Sequence, residues 1–136
     1  MRIQYEGLAL PVSKRLIDAL IDTIKPVKEP MAEFVTVNFR DPKYSAEHGG
    51  YHPVEIMITG RSGRYDLCYI TDFCYVGIGD YAELVKALDF EFIAGTFQDT
   101  TGYYPIEVAR EIYPIWEDNF LTYWLEMGVF DIEVTS

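Results

Sequence analysis

Positive charge is scarce in this chain: 11 Lys and Arg stand against 22 Asp and Glu, a formal net charge of −11. Such a chain repels phosphate on average, and sequence-independent nucleic-acid binding needs clustered cations. The basic residues here are scattered, so no direct nucleic-acid binding is expected. Cysteine and histidine are rarer still, two of each. Cys68 and Cys74, on one continuous strand, would hold their Cα atoms about 20 Å apart, where a disulfide tolerates roughly 7 Å. Two free thiols fit a reducing compartment, and neither has a basic neighbour that would favour the thiolate nucleophile. Also missing are a Gly-x-Ser-x-Gly elbow, a Walker loop and a complete glycine-rich dinucleotide turn, since Gly77-Ile78-Gly79 lacks the third glycine. No cofactor is implied. Residues 1–10 carry no basic-then-apolar leader pattern, and no apolar run approaches the 18 or so residues that span a bilayer. The expectation is a cytoplasmic protein without a membrane anchor.

Hydrophobic residues make up 49% of the chain and aromatics 15%, which excludes a disordered tail and supports one core within a single domain, residues 1–136. A chain of this length buries roughly two-thirds of the surface its unfolded form exposes. Leu16, Ile17, Leu20, Ile21 and Ile24 fall on one helical stripe, so the spacing predicts an amphipathic helix over 13–25. Ser13 suits its N-cap, Pro26 its stop, and a short connector follows over 26–30. Alternation predicts strands over 34–39 and 54–59, joined by an ordered surface loop over 40–53. A tight turn at 60–63 leads into a strand over 64–76, long enough to need a bend or bulge. Residues 77–80 turn the chain, 81–87 read as either strand or helix, and 88–97 alternate as a fourth strand. A long helix opens at Pro105, with a kink or break at Pro114, a stop at Gly128 and a last strand over 129–135. This order predicts an α+β fold: a twisted antiparallel sheet with the N-terminal helix and the long C-terminal helix packed on one face.

If the strands pair in register, Glu55, Asp66, Asp72, Asp89 and Glu91 gather on the sheet face opposite the helices. That face would form an acidic docking surface for a basic partner. Leu121 and Leu125 lie outside the main apolar stripe of the C-terminal helix, which points to a homo-oligomer or to a contact with the last strand. His48 and His52, the only histidines, can be drawn as a metal site with Glu47 and Glu55 close in sequence, and the acidic sheet positions could also hold Mg²⁺ but carry no catalytic spacing. The Gly49-Gly50 pair between the histidines is unlike the i, i+4 spacing of helical zinc sites.

Several stretches also resemble a known family. Asn38-Phe39-Arg40-Asp41-Pro42, Tyr44-Ser45 and Gly49-Gly50-Tyr51-His52-Pro53-Val54-Glu55-Ile56 carry the resemblance, with Leu84-Val85-Lys86, Leu88-Asp89-Phe90, Trp116-Glu117, Asn119-Phe120 and Met127-Gly128-Val129 further on. Together they are similar to the bacterial family catalogued as domain of unknown function 2787. The resemblance implies small proteins of mobile genomic islands with no assigned enzymatic activity, and it supplies no catalytic residue. It further implies a fold similar to the mitochondrial matrix glycoprotein family, which includes the receptor for complement globular heads. Those are acidic binding proteins, ring-shaped trimers with terminal helices on a twisted antiparallel sheet. The strand expected after Gly128 departs from their helical ending.

The signature loop has its own physical reading. Asp41-Pro42 and Gly49-Gly50 set turns, Pro53 holds His52 extended, and Arg40, Tyr44 and Tyr51 are placed to pin the loop to the sheet edge. Ordered loops concentrate function, so Arg40, Tyr51 and His52 join the five carboxylates as candidate binding residues. The functional expectation is an acidic, non-catalytic binding or adaptor protein that engages a basic protein through the sheet face or the 40–53 loop. The alternatives are a small metal-dependent enzyme using His48, His52 and Glu55, and a nucleic-acid mimic whose carboxylates occupy a DNA-binding protein.

Overall fold

Ser13 acts as the N-cap its position predicts: its Oγ accepts the Leu16 amide at 3.1 Å and opens helix α1, Lys14–Ile24. Leu16, Ile17, Leu20 and Ile24 form its buried stripe. The structure, a computed structural model, describes residues 1–27 and 32–136. The connector expected over 26–30 therefore lies partly outside the described residues.

The strands are β1 Arg2–Gln4, β2 Phe34–Arg40, β3 Val54–Arg61, β4 Arg64–Val76, β5 Glu83–Glu91, β6 Thr96–Asp99, β7 Gly102–Pro105 and β8 Asp131–Thr135. Seven of them form one antiparallel sheet in the order β7-β6-β5-β4-β3-β2-β8. The short β1 pairs parallel to the start of β4, Arg2 opposite Arg64, ahead of the stretch that β5 covers. The third run predicted from sequence matches β4 residue for residue, and the expected irregularity is there. Met57 pairs with Tyr69 but Ile58 with Leu67, so Cys68 is an extra residue on β4. A second shift, between Asp72 and Phe73, leaves Ala87 extra on β5.

An extra residue reverses which way every later side chain points. Tyr65 and Leu67 face the core; beyond the bulge Ile70 and Asp72 face it, and Tyr69 and Thr71 turn to the open side. The expectation that Asp66 and Asp72 share one face therefore fails beyond Cys68.

Two further expectations change. The run 88–97 is not one strand: β5 ends at Glu91, and the chain reverses through 92–95, where the Gly95 amide bonds the Glu91 carbonyl at 2.9 Å. Gly95 has φ +75°, a conformation most side chains avoid, while Phe92 and Ile93 keep the apolar look of a strand across the turn. The long helix does not open at Pro105, which ends β7. A tight 3₁₀ turn, Ile106–Ala109, follows, and the helix proper, α2, runs Ile112–Leu121. Pro114 thus sits in the first turn, where backbone amides have no helical partner, and the break predicted there becomes a helix start. A wider π turn, Thr122–Glu126, extends α2 until Gly128 stops it at φ +63°.

Both helices lie on one face. Phe39 of β2 meets the rings of Phe120 and Trp124 with centroids 5.0 and 4.7 Å away, and Phe90 of β5 meets Tyr113 at 5.1 Å. Val35, Val37, Ile56, Ile58, Leu67 and Ile70 complete the layer. Each such side chain contributes about 1.5–3 kcal/mol on full burial. Glu117, buried among them, ties the helices together: its Oε2 accepts the Tyr113 hydroxyl at 2.6 Å and the Ser13 amide at 3.1 Å. Leu121 is part of this core at 2% exposure, whereas Leu125 stays 43% exposed, so the pair expected to share one outer face is split.

Candidate functional site

The face away from the helices carries a polar row set by register alone. Glu133, Asn38, Glu55, Thr71, Asp89 and Gln98 lie side by side across β8, β2, β3, β4, β5 and β6. Glu91 sits in the neighbouring row opposite Tyr69. Asp66, exposed, is on the same face further along β4, opposite Thr59. Arg40 is at the end of β2 opposite Asp131, and lines a groove with Asn38, Ile132 and Glu133.

Within this face the carboxylates differ in partners. Glu55 accepts a short hydrogen bond from the Tyr69 hydroxyl. Burial, and then that bond, raise the Tyr69 phenol well above its ordinary range. Asp89 is only 3% exposed and accepts from Thr71 Oγ1 at 2.7 Å and Lys86 Nζ at 3.3 Å. Glu91 is pushed up to about 7, first by burial and then by hydrogen bonding to Asp89 and its charge, with Lys86 opposing. The same surroundings raise the Cys68 thiol: burial first, then Glu91 and Asp89. Burial likewise raises Cys74, and both cysteines are free.

Asp72 belongs elsewhere. The Cys68 bulge turns it toward the helices, where its Oδ2 accepts the Trp116 indole N–H at 2.8 Å and its Oδ1 lies 2.7 Å from His52 Nδ1. It is therefore not part of the acidic face predicted for it. His52 and Tyr51 reach the same place from the loop, whose shape is set by the buried Asp41. Asp41 accepts the Lys43 amide at 2.9 Å and the Tyr51 amide at 3.1 Å. A Cβ on Gly50 (φ +137°) would lie 2.8 Å from Asp41 Oδ2, so this crossing requires glycine. Tyr44 anchors the other side: its hydroxyl accepts the Tyr75 amide at 2.9 Å, and its ring stacks on that of Tyr75 at 5.3 Å. Tyr51 packs on Tyr123 at 4.6 Å. Between the loop and α2 this leaves a cleft of about 330 Å³, bordered by Tyr51, His52, Asp72, Trp116, Asn119 and Tyr123.

The metal constellation His48, His52 and Glu55 does not converge. His48 is at the exposed loop tip beside Glu47, 3.5 Å away, His52 is committed to Asp72 on the helix side, and Glu55 is bonded to Tyr69 on the opposite face. No cluster of three metal-binding side chains occurs among the described residues. Nor, among them, is any helix long and apolar enough to cross a membrane. Trp116 and Asn119 were not singled out as site residues. Trp116 is 44 positions from Asp72, and nothing local marks the contact.

Among curated proteins none matches this chain. Solved structures do, among them two of hypothetical proteins from Vibrio cholerae pathogenicity islands. One, from the VSP-II island, is 38% identical with a TM-score of 0.84, over 98% of this chain and all of that one. The other, from island VPI-2, is 39% identical with the same score and coverage, and is described as sharing structural homology with the human P32 protein. Residues 14–135 match the model of the protein family of unknown function DUF2787, and with this fold and these relatives the chain belongs to that family.

Proposed function

We propose that this chain is a non-catalytic binding protein whose open sheet face takes a basic segment of a partner protein. One observation carries the reading: Asp89 and Glu91 sit side by side in the middle of that face, and Glu91 keeps its proton up to about pH 7. Burial is the largest cause of that rise, and the neighbouring Asp89 charge adds to it; a cationic side chain laid across the pair relieves that repulsion as the proton does. Lys86 bonds Asp89 and only partly offsets the charge at Glu91, and Glu55 and Glu133 extend the negative row on either side of Asn38. The relatives' origin in pathogenicity islands adds no partner of its own.

The test is titration of the protein with a fluorescent oligolysine peptide, read by anisotropy. Binding should weaken with added salt and on lowering the pH from 8 to 5.5, as Glu91 takes up its proton. Glu55→Gln with Glu91→Gln should weaken it about 3- to 10-fold, the loss of one or two partly screened ion pairs, and flatten the pH dependence. Unchanged affinity in that double variant would overturn the reading.

Self-association rests on a separate observation. The tip joining β4 to β5 presents Ile78 and Tyr81 at 87% and 88% exposure, with Val76 and Leu84 beside them. A second copy is the occupant we assign to this apolar tip.

A further inference from the structure

The cleft between the 40–53 loop and α2 has a polarity opposite to the rest of this acidic chain. Its one carboxylate, Asp72, has a side chain only 11% exposed, and both its oxygens are taken, one by the Trp116 indole N–H and one by the His52 ring. An ionised Asp72 fixes the proton of that contact on His52 Nδ1, which leaves Nε2 as the free nitrogen. The His52 side chain is 44% exposed, and among the described residues His52 is the only one lining the cleft that can become a cation. The polar atoms left to a ligand are therefore Nε2, the Asn119 amide and the Tyr51 and Tyr123 hydroxyls. The walls beside them are aromatic, and the loop wall is held in place by the Asp41 bonds.

We propose that this cleft binds a small planar carboxylate, with the carboxylate accepting from His52 Nε2–H and the Asn119 amide and the ring lying against Tyr51 and Tyr123. A cleft of about 330 Å³ is at the small end of ligand sites and suits one ring with its acid group. The charge of the whole molecule, −11, opposes an anion, so binding depends on His52 being protonated. The hydrogen bond and charge of Asp72 favour that state, raising His52 above its ordinary value against the opposing effect of burial. The other groups facing His52 are uncharged: Tyr44 and Tyr51 from the loop, and Trp116, Asn119 and Tyr123 from α2 and its π turn. The site lies on the opposite side of the sheet from Glu55, Asp89 and Glu91, so it stands or falls independently of the basic-partner reading.

The probe is benzoate, titrated into the full chain by calorimetry and by ¹H–¹⁵N correlation spectra of the His52 ring. The expected result is saturable binding at pH 6 that moves the His52 ring signals and weakens at least tenfold by pH 8.5. Benzamide, the neutral analogue, should show no such pH dependence. His52→Gln should remove the dependence and lower benzoate affinity at least tenfold at pH 6, and Glu55→Gln with Glu91→Gln should leave benzoate binding unchanged. Asn119 is exposed and Asn119→Ala should fold normally, so its loss of affinity tests the cleft even if the His52 variant is unstable. Absence of saturable binding at pH 6, equal affinity at pH 6 and 8.5, or full affinity in Asn119→Ala would each overturn the proposal.

Discussion

At the residue scale, Glu91 and His52 are among the groups that hold protons more tightly in the folded chain than their ordinary values allow. Glu91 rises from 4.5 to about 7, with burial the largest cause, and His52 rises from 6.5 through its bond to Asp72. The sign follows from which state binds more protons. Between about pH 4.5 and 7 the native chain carries the Glu91 proton and the unfolded chain does not, so stability is full below that window and falls as pH rises through it. The His52 contribution is likewise full below 6.5 and lost above it. The urea midpoint should therefore be higher at pH 5.5 than at 8.5, and Glu91→Gln should flatten the slope while raising the midpoint at 8.5. A slope unchanged in Glu91→Gln would show that Glu91 ionises freely. These environments are invisible to composition: five carboxylates that look alike in sequence fall into exposed (Asp66), hydroxyl-bonded (Glu55), Lys-paired (Asp89), proton-holding (Glu91) and Trp- and His-bonded (Asp72) classes.

At the element scale, caps and turns obey local rules where the rule needs only neighbours. Ser13 and α1 agree with the pattern because a cap and a stripe are decided within four residues. Ser13→Ala should cost about 1 kcal/mol in chemical denaturation through the lost Leu16 bond. Gly60→Ala should cost more, about 1–3 kcal/mol, because its Cβ would sit 1.9 Å from the Arg64 carbonyl oxygen and force the β3–β4 hairpin apart. A milder loss at Gly60 than at Ser13 would mean that the hairpin end yields easily. The helix predicted from Pro105 misplaced its start for a related reason. Proline suits a helix's first turn generally, and this chain has two, Pro105 and Pro114, with β7 pairing claiming the earlier one.

At the scale of the whole molecule, a sheet with both helices on one face leaves the other face open. This asymmetry gives an acidic open face, an aromatic cleft at the helix edge and an apolar tip between β4 and β5 as separate surfaces. Light scattering should report an assembly larger than the 15.7 kDa monomer that Ile78→Ser with Tyr81→Ser dissociates. A monomer before the substitutions, or an assembly indifferent to them, would remove the tip from consideration.

The amino-acid sequence by itself determined the fold class, the first helix, the long β4 strand and the family, because each rests on periodicity, capping or a contiguous signature. Tertiary structure alone decided which carboxylates keep company. One extra residue at Cys68 moved Asp72 from the open face to the cleft, beside a histidine 20 positions away and a tryptophan 44 away. Face assignment is a parity, and a parity changes with a single inserted residue whose presence depends on how the neighbouring strand pairs.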